Sequence, residues 1–354
     1  MENSNLIQLF SFAAILASSV FIPLISEQYG AGPIMVGVIV GAYNAMFMLS
    51  NYLFGYLSDK YGGKFFLRFG LLLSALVFAL QIMANDLPSL FWLRALVGFA
   101  AGTFPAALTV FAYVEHKGKM GQYAGYGSLG WGIGGLLAGF IANNDTIFLL
   151  SSLFFFVAFL LSFQIGGKYE KQVEPSLLPW RIVRSNLRVY LPYFLRALGA
   201  QAIWSIFPLY LVFTGADKTL IGLTYFINLA SQFFLMQYVE RFRNLYLINI
   251  GLLCTVITFF GYAMFPYLPV VMAFQLLLSI SFSTLQVGAL QEILTNNRER
   301  SSAVGLLNSI GNFTAVIGPF LAGFIAQGFG YSGVMWFGMA ISFLGLITFT
   351  TLLE

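Results

Sequence analysis

Histidine and cysteine are nearly absent from this chain, which has one of each, His116 and Cys254. A lone cysteine excludes an internal disulfide. A lone histidine, read as a surface residue, excludes a multi-histidine metal site and leaves no Ser-His-Asp set. No G-x-x-x-x-G-K-[ST] phosphate loop occurs, which disfavours an ATP-driven pump. The chain is therefore not read as an enzyme, and neither cofactor nor metal is expected. Charge is the next scarcity. Only 8% of the residues are charged and 59% are hydrophobic, against about 25% charged in soluble domains. Water does not solvate a compact body this apolar, so the solvent must be lipid. The net charge of +4 would suit nucleic acid if it were clustered. It is instead dispersed among short loops, and no nucleic-acid partner is expected. Met1–Asn5 lacks the basic start of a cleavable signal, and the first apolar run is long enough to span.

Apolar runs are what the sequence does have. About 20 apolar residues carry a helix across a hydrocarbon core of about 30 Å. In lipid a helix satisfies its own backbone groups. Twelve runs meet the length: 6–25, 34–56, 65–84, 87–114, 121–141, 147–165, 189–214, 220–239, 245–265, 268–293, 301–327 and 334–353. The predicted fold class is all-α, a membrane protein of twelve transmembrane helices in two pseudo-symmetric six-helix bundles. The basic residues support the count independently. Lys60, Lys64, Arg68, Lys117, Lys119, Lys168, Lys171, Arg181, Arg184, Arg188, Arg241, Arg243, Arg298 and Arg300 all follow even-numbered runs. Those are 14 of the 17 Lys and Arg, and only Lys218 follows an odd-numbered run. Positive loops stay cytoplasmic, so both termini are expected inside a plasma membrane and Lys218 outside.

The longest connection, 167–188, divides the chain into bundles 1–166 and 189–354. Its basic stretch 177–188 has the character of a helix lying on the inner leaflet. The two halves repeat one another. Ala138–Ala142 and Ala322–Ala326 both read AGFIA, and Glu115, Gly121, Gly127, Ile133 and Gly134 recur at the same offset as Glu299, Gly305, Gly311, Ile317 and Gly318. Duplicated halves around a central site are a common transporter construction.

The loop after the second run reads Gly55-Tyr-Leu-Ser-Asp59-Lys60-Tyr-Gly62-Gly-Lys64. It resembles the signature loop of the major facilitator superfamily, G-x-L-x-D-[RK]-x-G-[RK]-[RK], with the last basic pair reduced to Gly63-Lys64. Arg94 with Gly98 and Gly102 is similar to that family's R-x-x-x-G pattern, and Arg298-Glu299-Arg300 to its basic entry into helix 11. The resemblance covers essentially the whole chain. It implies two bundles rocking around a central cavity, with Gly55, Asp59, Lys60, Gly62, Gly98 and Gly102 in the moving parts. The fifth run carries Gly130, Gly134, Gly135 and Gly139 among eight glycines. It resembles the G-P-x-x-G-G motif of proton-coupled exporters, with Gly135 where proline is expected. Plain close packing is the other reading of those glycines.

Arg94 and Arg196 each lie eight residues beyond a polar boundary residue, Asp86 and Arg188, hence about 12 Å into the core. A cation at that depth faces a cavity or a partner. For Arg196 the alternative is snorkelling to the inner surface. No carboxylate lies at equal depth, so substrate binding or coupling is assigned to Arg94, Arg196, Gln201, Trp204, Asn44 and Gln286. Interhelical glue is the more frequent role of residues such as Gln201, Asn44 and Gln286, and packing or lipid contact that of aromatic residues such as Trp204. The resulting expectation is a secondary transporter that moves a small organic solute by alternating access, as a monomer in lipid. One version exports drugs or metabolites by proton antiport, and another carries organic anions on its central arginines. A rival of a different class is a receptor or scaffold that kept the fold and lost transport.

Overall fold

The computed structural model describes residues 3–116, 121–166, 180–239, 241–297 and 300–352. Lys117, Lys119, Lys168, Lys171, Arg298, Glu299 and most of the 167–188 connection lie outside the described residues, as does the side chain of Asp59. In chain order the helices are α1 (Asn3–Ser19), α2 (Ile22–Gln28), α3 (Pro33–Tyr61), α4 (Gly63–Ala79, continued by a 3-10 turn Leu80–Met83), α5 (Leu87–Ala101), α6 (Pro105–Glu115), α7 (Gly121–Phe140) and α8 (Asn144–Ser162). Then come α9 (Trp180–Ser185), α10 (Leu187–Phe213), α11 (Lys218–Val239), α12 (Asn244–Met264), α13 (Leu268–Asn296) and α14 (Arg300–Thr351). No strand occurs among the described residues.

These helices make twelve spans. Ten stretches are long and apolar enough to cross a membrane. Helix α7 adds another, although its glycines contribute little apolar surface. The last stretch counts twice, because Gly330 breaks it with φ 68. The chain is thus a multi-pass membrane protein. Two spans are interrupted where the sequence suggests continuous helix. The first bends between α1 and α2, where Pro23 opens α2. The fourth bends between α5 and α6, where Gly102 ends one segment and Pro105 begins the next. Proline lacks the N–H that an unbroken ladder needs but suits a first helical turn. In the signature loop, Gly62 ends α3 at φ 107 and its N–H donates to Ser58 O at 2.9 Å. That backbone region favours glycine.

Two compact units are distinguished: Met1–Gln172 with Ala216–Phe233, and Val173–Gly215 with Phe234–Glu354. In the first, α7 presents glycine on two faces. Gly127, Gly130 and Gly134 meet α1, while Gly132, Gly135 and Gly139 meet Leu229, Tyr225 and Gly222 of α11. A Cβ at residue 134 would stand 2.1 Å from the Ala13 carbonyl oxygen. The contact is therefore backbone against backbone, the close approach that small residues allow in membranes. In the second unit, α10 packs along both parts of α14, with Gly318 on Gln201 and Ala202 and Gly338 on Ile203. Helix α1 packs on α7 and α8 in the same way. Ala138 and Ala322, which open the repeated AGFIA pentapeptides, are both buried.

Each unit also ties the start of its first span to the end of its fourth. The Glu115 carboxylate, closing α6, accepts from the backbone N–H groups of Asn3 and Ser4 at 3.2 and 3.1 Å. A carboxylate at a helix N-terminus meets both unpaired donors and the positive dipole end. Glu292, near the end of α13, pairs with Arg188 at 2.7 Å and accepts from Asn244 and Asn296. His116 is not the surface residue its position suggests. It is buried, and its Nε2 bonds with Asn5 Oδ1 at 2.9 Å, because the start of α1 docks over it.

The glycine contacts set a stability test. Gly134→Ala should destabilise the protein by about 1–3 kcal/mol, the usual cost of overpacking. Gly311→Ala, where an added Cβ meets nothing within 4 Å, should melt like wild type. Thermal unfolding of the two purified variants in detergent separates the cases, and equal melting temperatures would refute the close contact.

Candidate functional site

Arg94 stands on α5, whose start is set by Asp86. Asp86 Oδ1 accepts from Ser89 N at 2.8 Å in a reciprocal capping box. The Ser89 hydroxyl and amide hold the Asp86 carboxyl below the usual carboxylate range. From Asp86 the helix carries Arg94 inward until it is 2% exposed. Its Nη1 donates to Gln81 Oε1 at 2.9 Å and its Nη2 to Ser19 Oγ at 3.0 Å. The guanidinium lies 4.5 Å from the centroid of the Tyr43 ring. Four spans therefore converge on one cation. The R-x-x-x-G spacing explains the arrangement. Residues four apart share a helix face, so Gly98 lies beside Arg94 toward α3. A Cβ there would come 2.2 Å from the Tyr43 carbonyl oxygen. The glycine lets α3 come close enough to slide Tyr43 beneath the guanidinium. Arg94 is thus not the unpaired cation expected from the sequence, because three neutral groups meet it where no acid does.

Arg196 on α10 is 5% exposed and differently held. Its Nε donates to Thr255 Oγ1 at 3.2 Å. Thr255 Oγ1 in turn donates to Gly251 O at 2.8 Å and lies 2.5 Å from Ser281 Oγ, which also donates to Gly251 O. Gly251 permits this knot, since a Cβ there would meet the Leu285 backbone at 2.8 Å. The guanidinium lies 5.5 Å from the centroid of the Phe282 ring. One turn earlier, the Tyr193 hydroxyl donates to Gln286 Oε1 at 2.6 Å.

The structure brings Arg196 and Gln286 into one neighbourhood through Tyr193. Within that unit it does not gather Gln201 or Trp204 there. Gln201 backs Gly318, Trp204 packs edge-on to Phe207 at 5.1 Å, and Asn44 donates to Val40 O within its own helix. Tyr43, Gln81, Ser19, Thr255 and Phe282 belong to these sites but were not singled out from the sequence. Serine, threonine and tyrosine in apolar helices are too common to stand out, and only their cations mark them. Among the described residues, no three His, Cys, Asp or Glu side chains come together.

The family model of the Major Facilitator Superfamily matches residues 5–295 and 189–354. The chain belongs to the major facilitator superfamily. It is 29% identical over 224 residues to the multi-drug resistance efflux pump PmrA of Streptococcus pneumoniae, covering 57% of this chain and 55% of that one. The chain thus matches about half the length of that relative. It is 25% identical over 349 residues to the tetracycline resistance protein, class H, of Pasteurella multocida, covering 90% and 84%. Among solved structures, the nucleoside transporter NupG superimposes with TM-score 0.76 at 11% identity over 100% of both chains. The human organic anion transporter MFSD10 (TETRAN) gives 0.76 at 16% identity over 98% of both. At such identities the structural likeness speaks for the shared superfamily fold alone.

The Arg94 cluster generates a double-mutant prediction. Gln81→Leu leaves the buried Arg94 short of an acceptor and should cost about 1.5–3 kcal/mol, the range for hydrogen bonds to charged groups. Adding Arg94→Met should recover most of that loss, because the stranded charge is gone. Denaturation of both variants checks it, and additive losses would show that the pair is not coupled.

Proposed function

We propose that this protein is a secondary transporter that moves a small organic solute across the plasma membrane by alternating access. The observation that carries the proposal is the pair of buried arginines inside apolar spans, one in each unit. Cations at such depth are costly, about 2.5–3.5 kcal/mol on insertion scales. In this reading residues 1–166 and 189–354 work as six-helix bundles joined by 167–188. Both termini are cytoplasmic and Lys218 is external. Lys218 donates to Ala142 O, between α7 and α8, and to Asn144 Oδ1 at the start of α8, which suits one shared external end.

The direction proposed is export, driven by proton antiport, with the protein acting as a monomer without enzymatic chemistry. Two relatives are named as an efflux pump and a resistance protein, and both support that direction. The described acids sit at span ends. Glu27 lies near the end of α2, and Glu115 and Glu292 close the fourth and tenth spans. A coupling proton would enter and leave from such ends rather than from mid-membrane. The glycines at 55, 62, 98, 102, 130, 134, 135 and 139, with Asp59 and Lys60, are assigned to the conformational change.

Two measurements test this reading. Purified protein in proteoliposomes should extrude a fluorescent amphipath along an imposed proton gradient. Loss of the gradient should stop it, and flux indifferent to the gradient would remove antiport. Binding without flux of any compound would favour the receptor or scaffold. Asp59→Asn should slow turnover while leaving the melting temperature within a degree or two. A charge at a helix end is worth about 0.3–1 kcal/mol, enough to bias two states but not to unfold the bundle. Wild-type turnover in that variant would remove Asp59 from the switch.

A further inference from the structure

The two buried arginines are not equivalent. Arg94 has both terminal nitrogens bonded, to Gln81 and Ser19. Arg196 uses only Nε, in its bond to Thr255. Its Nη1 and Nη2 have no hydrogen-bond partner among the described residues. Gln286 accepts from Tyr193 through Oε1, and its Nε2 likewise has no described partner. Tyr193 and Arg196 lie three apart on α10, and Phe282 and Gln286 four apart on α13. Each pair shares a helix face. The result is a small patch of uncommitted N–H donors beside two aromatic rings.

Charge balance points the same way. Glu292 is the only described carboxylate of this unit, and Arg188, Asn244 and Asn296 already engage it. Nothing anionic among the described residues of this unit is left for Arg196. Snorkelling does not apply, since the Thr255–Ser281–Gly251 knot holds the guanidinium between α10, α12 and α13. An arginine with its planar fork open fits a planar oxyanion through two parallel N–H bonds. We propose that Arg196, with Gln286, forms the subsite for the anionic group of an aromatic carboxylate, with Phe282 and Tyr193 facing the ring. This rests on the transporter reading for its biological use, but binding itself does not require transport.

Binding is therefore the test, made without a membrane. Purified protein in detergent is melted with increasing 2-naphthoate, and in parallel with 2-naphthamide, its uncharged match. A ligand that binds the native state raises its melting temperature by mass action. The naphthoate should bind at least tenfold more tightly than the amide. Arg196→Gln should abolish that preference, and Arg196→Lys should keep only part of it, because a point charge replaces the fork. Thr255→Val keeps the arginine but removes its anchor, and should weaken naphthoate several-fold with little effect on the amide. It also serves should Arg196→Gln fail to fold. Equal stabilisation of wild type by both compounds, or by neither, overturns the proposal. So does a folded Arg196→Gln variant that still prefers naphthoate. Failure of flux in proteoliposomes with the preference intact would sink the transporter reading and leave the subsite standing.

Discussion

Backbone contact between helices is the interaction on which the other features depend. In water, helices associate because apolar faces escape the solvent. In lipid that drive is missing, since acyl chains are as apolar as leucine. What remains is close packing and hydrogen bonding. In the first unit, Gly130 and Gly134 of α7 meet the α1 backbone at distances that no Cβ fits. Gly98 and Gly102 do the same between α3 and α5, and Gly251 and Gly288 between α12 and α13. Glycine is a poor helix former in water, by about 1 kcal/mol against alanine. Here that cost is offset by contacts that larger residues would prevent.

The same contacts make buried charge tolerable. A guanidinium needs several acceptors or a π face when water is excluded. Gly98 brings Tyr43 under Arg94, and Gly251 brings Ser281 against the Thr255 hydroxyl that receives Arg196. Each arginine's partner is thus brought into reach by a glycine. The two outcomes differ because the acceptors differ. Gln81 and Ser19 occupy both ends of the Arg94 fork, whereas the Arg196 fork has one bond at its base.

The span ends that carry Glu115 and Glu292 obey a simpler rule. Carboxylates there meet N–H groups or cations, and the acid that closes each fourth span ties down the first helix of its own unit. Glu115 does so through the bare N-terminus of α1 and Glu292 through Arg188. The two acids are not equivalent positions of the repeat, since Glu115 aligns with Glu299. The unit architecture is repeated more faithfully than its individual contacts.

The sequence by itself determined the number of spans, their all-helical character and the family. Lipid imposes a length and an apolar composition on every crossing, and both are written locally in the chain. Loop charge and the Gly55–Lys64 signature are local too. The bends at Pro23 and Pro105 were visible only as residues within runs that read as unbroken. What only the tertiary structure decided is which cation has its terminal fork bonded and which has it free. Arg94 and Arg196 look alike in sequence, each about 12 Å into its helix with no acid at that depth. Their partners come from residues 13 to 75 positions away for Arg94 and 59 for Arg196. Such pairings are fixed by how helices cross, and no local pattern encodes the crossing. The glycines hint at where helices touch, but which side chains the contact delivers depends on the rotation of both helices together.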